Sequence, residues 1–372
     1  MRSSNLSRNE ARRRLPPGPR QDGFVLVIVL VLLVVLTLLA SAVALSGSRA
    51  VSEAQQEIDR FQGELDMAST RDTMLFMLAT QRRNPGGLVA LPSPPLSMAA
   101  LDEDAEGLLW QPLGTEIALD ARPYAGLGDA RFAIQDDAGL LSPNWSAPAL
   151  MQAFFRSRGF GAERWNELDA KRLDYQDPDA LHRLGGAEED HYRKAGLPPP
   201  TNRPVATPLE FRRILLWDQV LDGMDDAQLL ATLSSQREVM VNLNTAPARV
   251  LATIPGLDEE QARRLIALRR QQPILSTWNL RQFFPIPEFM EEGLRLFPNI
   301  SGNLILWDRR FGSRRLAHWR LTPLSTTGHP WQIDYEVILS RDDESDSAMA
   351  EAPASPLFAP EDPGRQGEQP PA

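Results

Sequence analysis

An α+β fold is predicted for this chain: a long N-terminal helix, an antiparallel β-sheet, and a large inserted all-α domain that includes a helix-hairpin-helix unit. Three observations predict it. Residues 24–45 are apolar almost throughout and run into an amphipathic continuation. Period-two alternation appears at Arg131–Gln135 and again in three runs after Phe297, and helical periodicity fills the interval between them.

The N-terminus sets the compartment. From Phe24 to Leu45 only Thr37 and Ser41 are polar, and the stretch gives about 33 Å of helix, enough to span a bilayer. Arg12, Arg13, Arg14 and Arg20 precede it and the first basic residue after it is Arg49, so the basic flank is expected in the cytoplasm and the remainder outside it. The apolar run is too long for a cleaved secretory signal, whose core spans roughly 7–15 residues. Residues 1–23 thus read as a cytoplasmic leader and 24–45 as a membrane helix. Ile58, Phe61, Leu65, Met74, Met77 and Leu78 then recur at helical spacing up to Gln81, and Asn84-Pro85-Gly86-Gly87 ends the helix.

Within residues 46–146, Leu88–Leu127 is rich in Pro, Gly and acid and reads as loops with short strands, including the apolar spot Leu108-Leu109-Trp110. Arg131–Gln135 is a strand that runs into the turn Asp136-Asp137-Ala138-Gly139. Residues 147–237 read as a helical inserted domain, built on Leu150, Phe154, Phe155, Trp165, Leu168, Leu173, Leu209, Ile214, Leu229, Leu230 and Leu233. Residues 238–297 hold a short strand and a helix-hairpin-helix: one helix from Ala248, a tight Ile254-Pro255-Gly256-Leu257 turn, and a second helix capped by Asp258 and running to Arg270. Residues 298–340 carry the last three strands, and 341–372, acidic and Pro-rich, read as a disordered tail.

Composition narrows the chemistry. The formal charge is −10 and the leader is basic, so the body is more acidic still, which argues against a general nucleic-acid binder. Cysteine is absent, which excludes disulfides, thiolate metal sites and a cysteine nucleophile. No nucleophile elbow, P-loop or dinucleotide fingerprint occurs, and the expectation is a protein that is not an enzyme. His182 and His191 share a polar loop with several carboxylates, but their spacing matches no metallohydrolase motif. Asp174, Asp177 and Asp179, in a D-x-x-D-x-D run ahead of Gly185-Gly186, are candidate calcium ligands, against the alternative of a helix cap and a solvated acidic turn. The hairpin could present amides and Arg249, Arg263, Arg264, Arg269 and Arg270 to a phosphate, but Asp258, Glu259 and Glu260 open its second helix and oppose one.

The junction of a basic leader ending in Gly23, then Phe24, then an unbroken apolar helix resembles the type IV pilin and type II secretion pseudopilin class. That resemblance implies cleavage by a prepilin peptidase between Gly23 and Phe24, methylation of the new N-terminus, and a pilin-type helix that is transmembrane and then periplasmic. An ordinary signal anchor is the alternative reading. The class usually carries glutamate at the fifth mature position, where this chain has Ile28, a departure that fits a subunit with none ahead of it in a filament. Further motifs in order, Asp136-Asp137-Ala138-Gly139 with Asn144, Asp174–Asp179, Gly185-Gly186-Ala187-Glu188 with Tyr192, Pro208-Leu209-Glu210, and Val241-Asn242-Leu243-Asn244-Thr245-Ala246, resemble the K-type minor pseudopilin family (general secretion pathway protein K) over most of residues 20–340. Leu140 and Ser142-Pro143 depart from its pattern after the turn glycine. The resemblance implies a pilin-type fold with an inserted SAM-like helical domain, I-type and J-type minor pseudopilins as partners, single-pass anchoring in the inner membrane with a periplasmic head, a capping position on the pseudopilus, and an association with calcium. Two rivals stay open: a membrane-anchored DNA receptor using the hairpin, and a minor pilin of a type IV pilus.

Overall fold

The structure is a computed structural model that describes residues 22–90, 110–310, 314–325, 328–340, 349 and 351–358. The leader before Asp22, Leu108, Leu109 and most of the C-terminal tail lie outside the described residues. Helix α1 (Asp22–Thr80, 59 residues) is the first element. Residues up to Phe61 and residues from Gln62 onward form separate compact units. In the first unit the side chains from Phe24 to Leu45 are exposed, and among the described residues α1 alone is long and apolar enough to cross a membrane.

The second unit begins with the end of α1. Met67, Met74, Leu75, Met77 and Leu78 sink into a core under the sheet with Phe132, Ile134, Leu304, Leu306 and Trp319. These α1 positions share one helical face, so their burial follows from the 3.6-residue period. Arg83–Asn84 (β1), Gly87–Val89 (β2) and Glu116–Ile117 (β3) form a small three-stranded sheet that begins at the end of α1 and runs into the segment read as loops with short strands. The main sheet contains β4 (Asp120–Ala125), β5 (Ala130–Asp136), β8 (Ser301–Asp308), β9 (Arg314–Leu321) and β10 (Trp331–Leu339) in the order β10-β9-β8-β5-β4. Every pair in it is antiparallel. The Phe132 strand thus pairs with the first strand after the insertion, in the register Asp136 to Gly302.

Between β5 and β8 run the helices α2 (Pro148–Ser157), α3 (Ala162–Gln176), α4 (Glu189–Lys194), α5 (Trp217–Val220) and α6 (Asp226–Leu230), with a 3-10 turn at Pro208–Arg213. The short strand β6 (Val241–Asn242), helices α7 (Ala248–Leu251), α8 (Glu259–Gln271) and α9 (Thr277–Arg281), and β7 (Leu294–Arg295), parallel to β6, follow. One apolar cluster runs from Leu141 to Leu294, so the segments 147–237 and 238–297, read from the sequence as separate modules, share a single core. Trp217 and Phe211 stack within it, 5.2 Å between rings. Part of the tail expected to be disordered is instead packed: Met349 and Ser355 are buried, and Phe358 meets Phe132 edge-on at 5.9 Å.

Candidate functional site

Two polar constellations stand out, and sequence motifs converge on both. The first is the acidic loop after α3. Asp174, on the last turn of α3, is fully buried and belongs to Arg183: the Arg183 backbone N–H donates to its Oδ2 at 3.0 Å and the guanidinium to its Oδ1 at 2.6 Å. The same guanidinium nitrogen donates to Asp177 Oδ2. A Cβ on Gly186 would lie 1.9 Å from Asp174 Oδ2, so the loop closes over this carboxylate only because residue 186 has no side chain. Asp174, expected as a calcium ligand, is therefore held as an internal anchor. Asp177 and Asp179 do converge, with Glu188 as third partner: one oxygen from each lies within 4.8 Å of the others.

Glu188 is 8% exposed and its Oε1, like Asp177 Oδ1, is buried without a hydrogen-bond partner. Burial, then the charges of Asp174, Asp177 and Asp179, push the Glu188 carboxyl up to about 7. Three converging carboxylates, two of them with an orphaned oxygen, are chemically suited to a hard divalent ion, and oxygen-only ligation favours calcium over zinc. His191 is taken up in capping α4, where it accepts from the Glu188 N–H through Nδ1 at 3.2 Å. Its ring lies 5.4 Å from that of His182.

The second constellation is a buried joint between sheet and insertion. Asp136, at the end of β5, accepts from Ala138 N, Asn299 N, Asn242 Nδ2 and Thr245 Oγ1 at 2.8–3.2 Å. Burial raises its carboxyl to about 6 against the pull of these donors. Its neighbour Asp137 accepts from Ser234 Oγ at 3.1 Å and Ser301 Oγ at 2.6 Å, and its Oδ2 lies 2.8 Å from His318 Nε2. The other side of the His318 ring faces Asp334 Oδ2 at 3.2 Å, and Arg320 donates to both Asp334 oxygens. Burial lowers the imidazole, but Asp137 and Asp334 outweigh it and hold His318 at about 9. Gly139 completes the turn: a Cβ there would lie 2.8 Å from the Thr245 carbonyl. The acidic-Gly turn and the Asn242–Ala246 run are thus two halves of one joint. The pairing across 106 residues, and the part of His318, have no local signature from which the sequence could reveal them.

The turn between α7 and α8 is equally absorbed in packing. Leu251, Ile254, Leu257, Ala262 and Leu265 are buried in the common core, and Asp258 caps α8 by accepting from Gln261 N at 2.8 Å. Gly256 (φ +87°) lies against a neighbouring segment, with a Cβ placed there only 2.0 Å from the Pro285 carbonyl. Of the five arginines considered for phosphate contact, Arg269 is buried and donates to the Leu243 and Ala246 carbonyls at 2.8 and 2.7 Å. It cannot also reach a ligand.

The described residues form an α+β fold with one N-terminal helix long and apolar enough to cross a membrane. Residues 241–291 match the family model of type II secretion system protein K. The matched segment starts on the Val241–Ala246 run and ends in the turn before β7. No curated protein matches the chain. Among solved structures, the GspK-GspI-GspJ complex from the type 2 secretion system of enterotoxigenic Escherichia coli is similar at 14% identity and a TM-score of 0.45, covering 79% of this chain and 100% of that one.

Proposed function

We propose that this chain caps the tip of a periplasmic pseudopilus, where it joins I-type and J-type minor pseudopilins to initiate assembly and support export of folded proteins. The observation that carries this reading is the family match at residues 241–291, the segment whose Asn242 and Thr245 fasten the helical insertion to the pilin-type sheet. The role is mechanical rather than catalytic. A prepilin peptidase cuts between Gly23 and Phe24, the apolar helix stays in the inner membrane, and the head stands in the periplasm. Ile28 offers no carboxylate to the amine of a subunit ahead, which suits a terminal position. The loop at Asp177, Asp179 and Glu188 takes up calcium, which neutralises a cluster that otherwise destabilises the fold.

The test is to express the full chain with candidate I-type and J-type subunits and purify it from membranes. A stable ternary complex, together with a mature N-terminus at Phe24 by mass spectrometry, is the expected result. A chain that stays alone, or keeps its leader, overturns the reading. Nucleic acid is not a partner in this scheme, and micromolar salt-sensitive binding of duplex DNA to the chain would count directly against it.

A further inference from the structure

The main sheet has two edges, and the β4 edge is shielded by devices of different kinds. Within β4, Ala121 adopts φ +62° and the register with β5 slips between Asp120 and Pro123, so the edge is bent. Pro123 has no N–H to offer, and the Arg122 N–H is turned onto its own neighbour, Asp120 Oδ1, at 3.3 Å. By strand alternation, residue 125 shares the direction of Pro123. The Ala125 N–H donates to Pro353 O at 2.8 Å, and Ala125 bridges Ala354 in parallel.

The residues around that bridge grip both faces of the sheet. Met349 is 4% exposed and seats against Ala133, Ile305 and Trp307, on the face toward the insertion. It lines a groove of about 270 Å³ with Leu230, Leu316 and Leu339. Phe358 and Leu357 pack on the opposite face, over the core that holds Phe132 and Trp319. Ser355, between them, is fully buried, and its Oγ accepts from Phe358 N at 3.0 Å. The chain therefore crosses from one face to the other around β4.

We propose that Met349 and residues 351–358 act as a cis strap that docks on the β4 edge and the groove under Met349, and so closes this edge to strand addition by a second copy. An edge with an open N–H beside an apolar groove is a template for another chain, and covering it with the molecule's own segment is one of the ways proteins blunt edges. The occupant follows from what lies there already: Met349, Pro353 and Phe358 each fill a separate part of the surface. The inference is independent of the secretion role.

Because the chain has no cysteine, an Ala125→Cys/Ala354→Cys pair reads the contact directly in the full chain in detergent. Peptide mapping should find a disulfide within one chain; a link between two chains, or none, overturns the cis assignment. In a Met349→Ser/Phe358→Ser variant the Ala125 amide should exchange at least tenfold faster than in the parent, and an unchanged rate overturns the strap. A chain ending at Ser340 should self-associate with concentration where the full chain does not. If it remains monomeric, the blocking role is wrong.

Discussion

Asp136 and Asp137 are adjacent in the chain, yet they hold different structures: the first holds the Asn242–Thr245 run, the second the β9 imidazole. Replacing Asp136 with Ala leaves the Asn242, Thr245 and Asn299 donors buried without an acceptor, and a loss of about 3–5 kcal/mol in unfolding free energy is expected by urea titration. His318 makes a pH-dependent contribution. Its pKa is raised from 6.5 to about 9 in the folded protein, so the stabilisation is fully present below pH 6.5 and is lost as pH rises through 9. Of the order of 2–3 kcal/mol should vanish across that interval, and His318→Gln should flatten the dependence of Tm on pH there. The turn Asp136–Gly139 and the run Val241–Ala246 are legible in the sequence as motifs. What joins them is not, because a hydrogen bond between residues so distant in the chain leaves no periodic or spacing signal.

At the scale of single elements, the acidic loop and the hairpin differ in how far local pattern suffices. The cluster of carboxylates before Gly185-Gly186 is visible in the sequence, but which oxygens are free depends on where Arg183 points, and that is decided by the fold. Calcium in excess of its Kd should raise Tm, while Glu188→Gln and Asp179→Asn should each blunt the rise; a scan with and without chelator measures it. Asp174→Asn should instead destabilise the chain with or without calcium, since it breaks the anchor to Arg183. The hairpin is more readable, because its turn glycine, capping aspartate and apolar spacing are all local signals. Leu257→Ala should cost about 2–5 kcal/mol as a core deletion, whereas Arg263→Glu with Arg264→Glu should change stability little, because both lie on the outer side of α8 and Arg263 makes only an exposed pair with Glu259. Guanidinium melts of the two variants separate packing from charge.

For the whole molecule, the order of parts is legible: α1, an early strand, a helical interval, three closing strands. Hydrophobic period alone carries that much, since it distinguishes helix from strand wherever one face is buried. The merging of residues 147–237 with 238–297 into one core is not legible, because residues such as Leu229 and Leu233 meet Val241 and Val250 only in three dimensions. The packed residues 351–358 escape notice for a similar reason, as a Pro-rich acidic composition masks a few well-placed apolar side chains. The register that pairs Asp136 with Gly302 has a further consequence. The insertion departs and returns on neighbouring strands, which lie about 5 Å apart, so its two ends nearly touch. It can be regarded as a cassette in a hairpin. Exchanging residues 140–298 for a short turn would ask no movement of β5 or β8, and the remnant should still melt cooperatively around Phe132, Leu304 and Trp319. In evolutionary terms, such a doorway lets a lineage enlarge, trade or discard the appendage while the scaffold of helix and sheet stays the same.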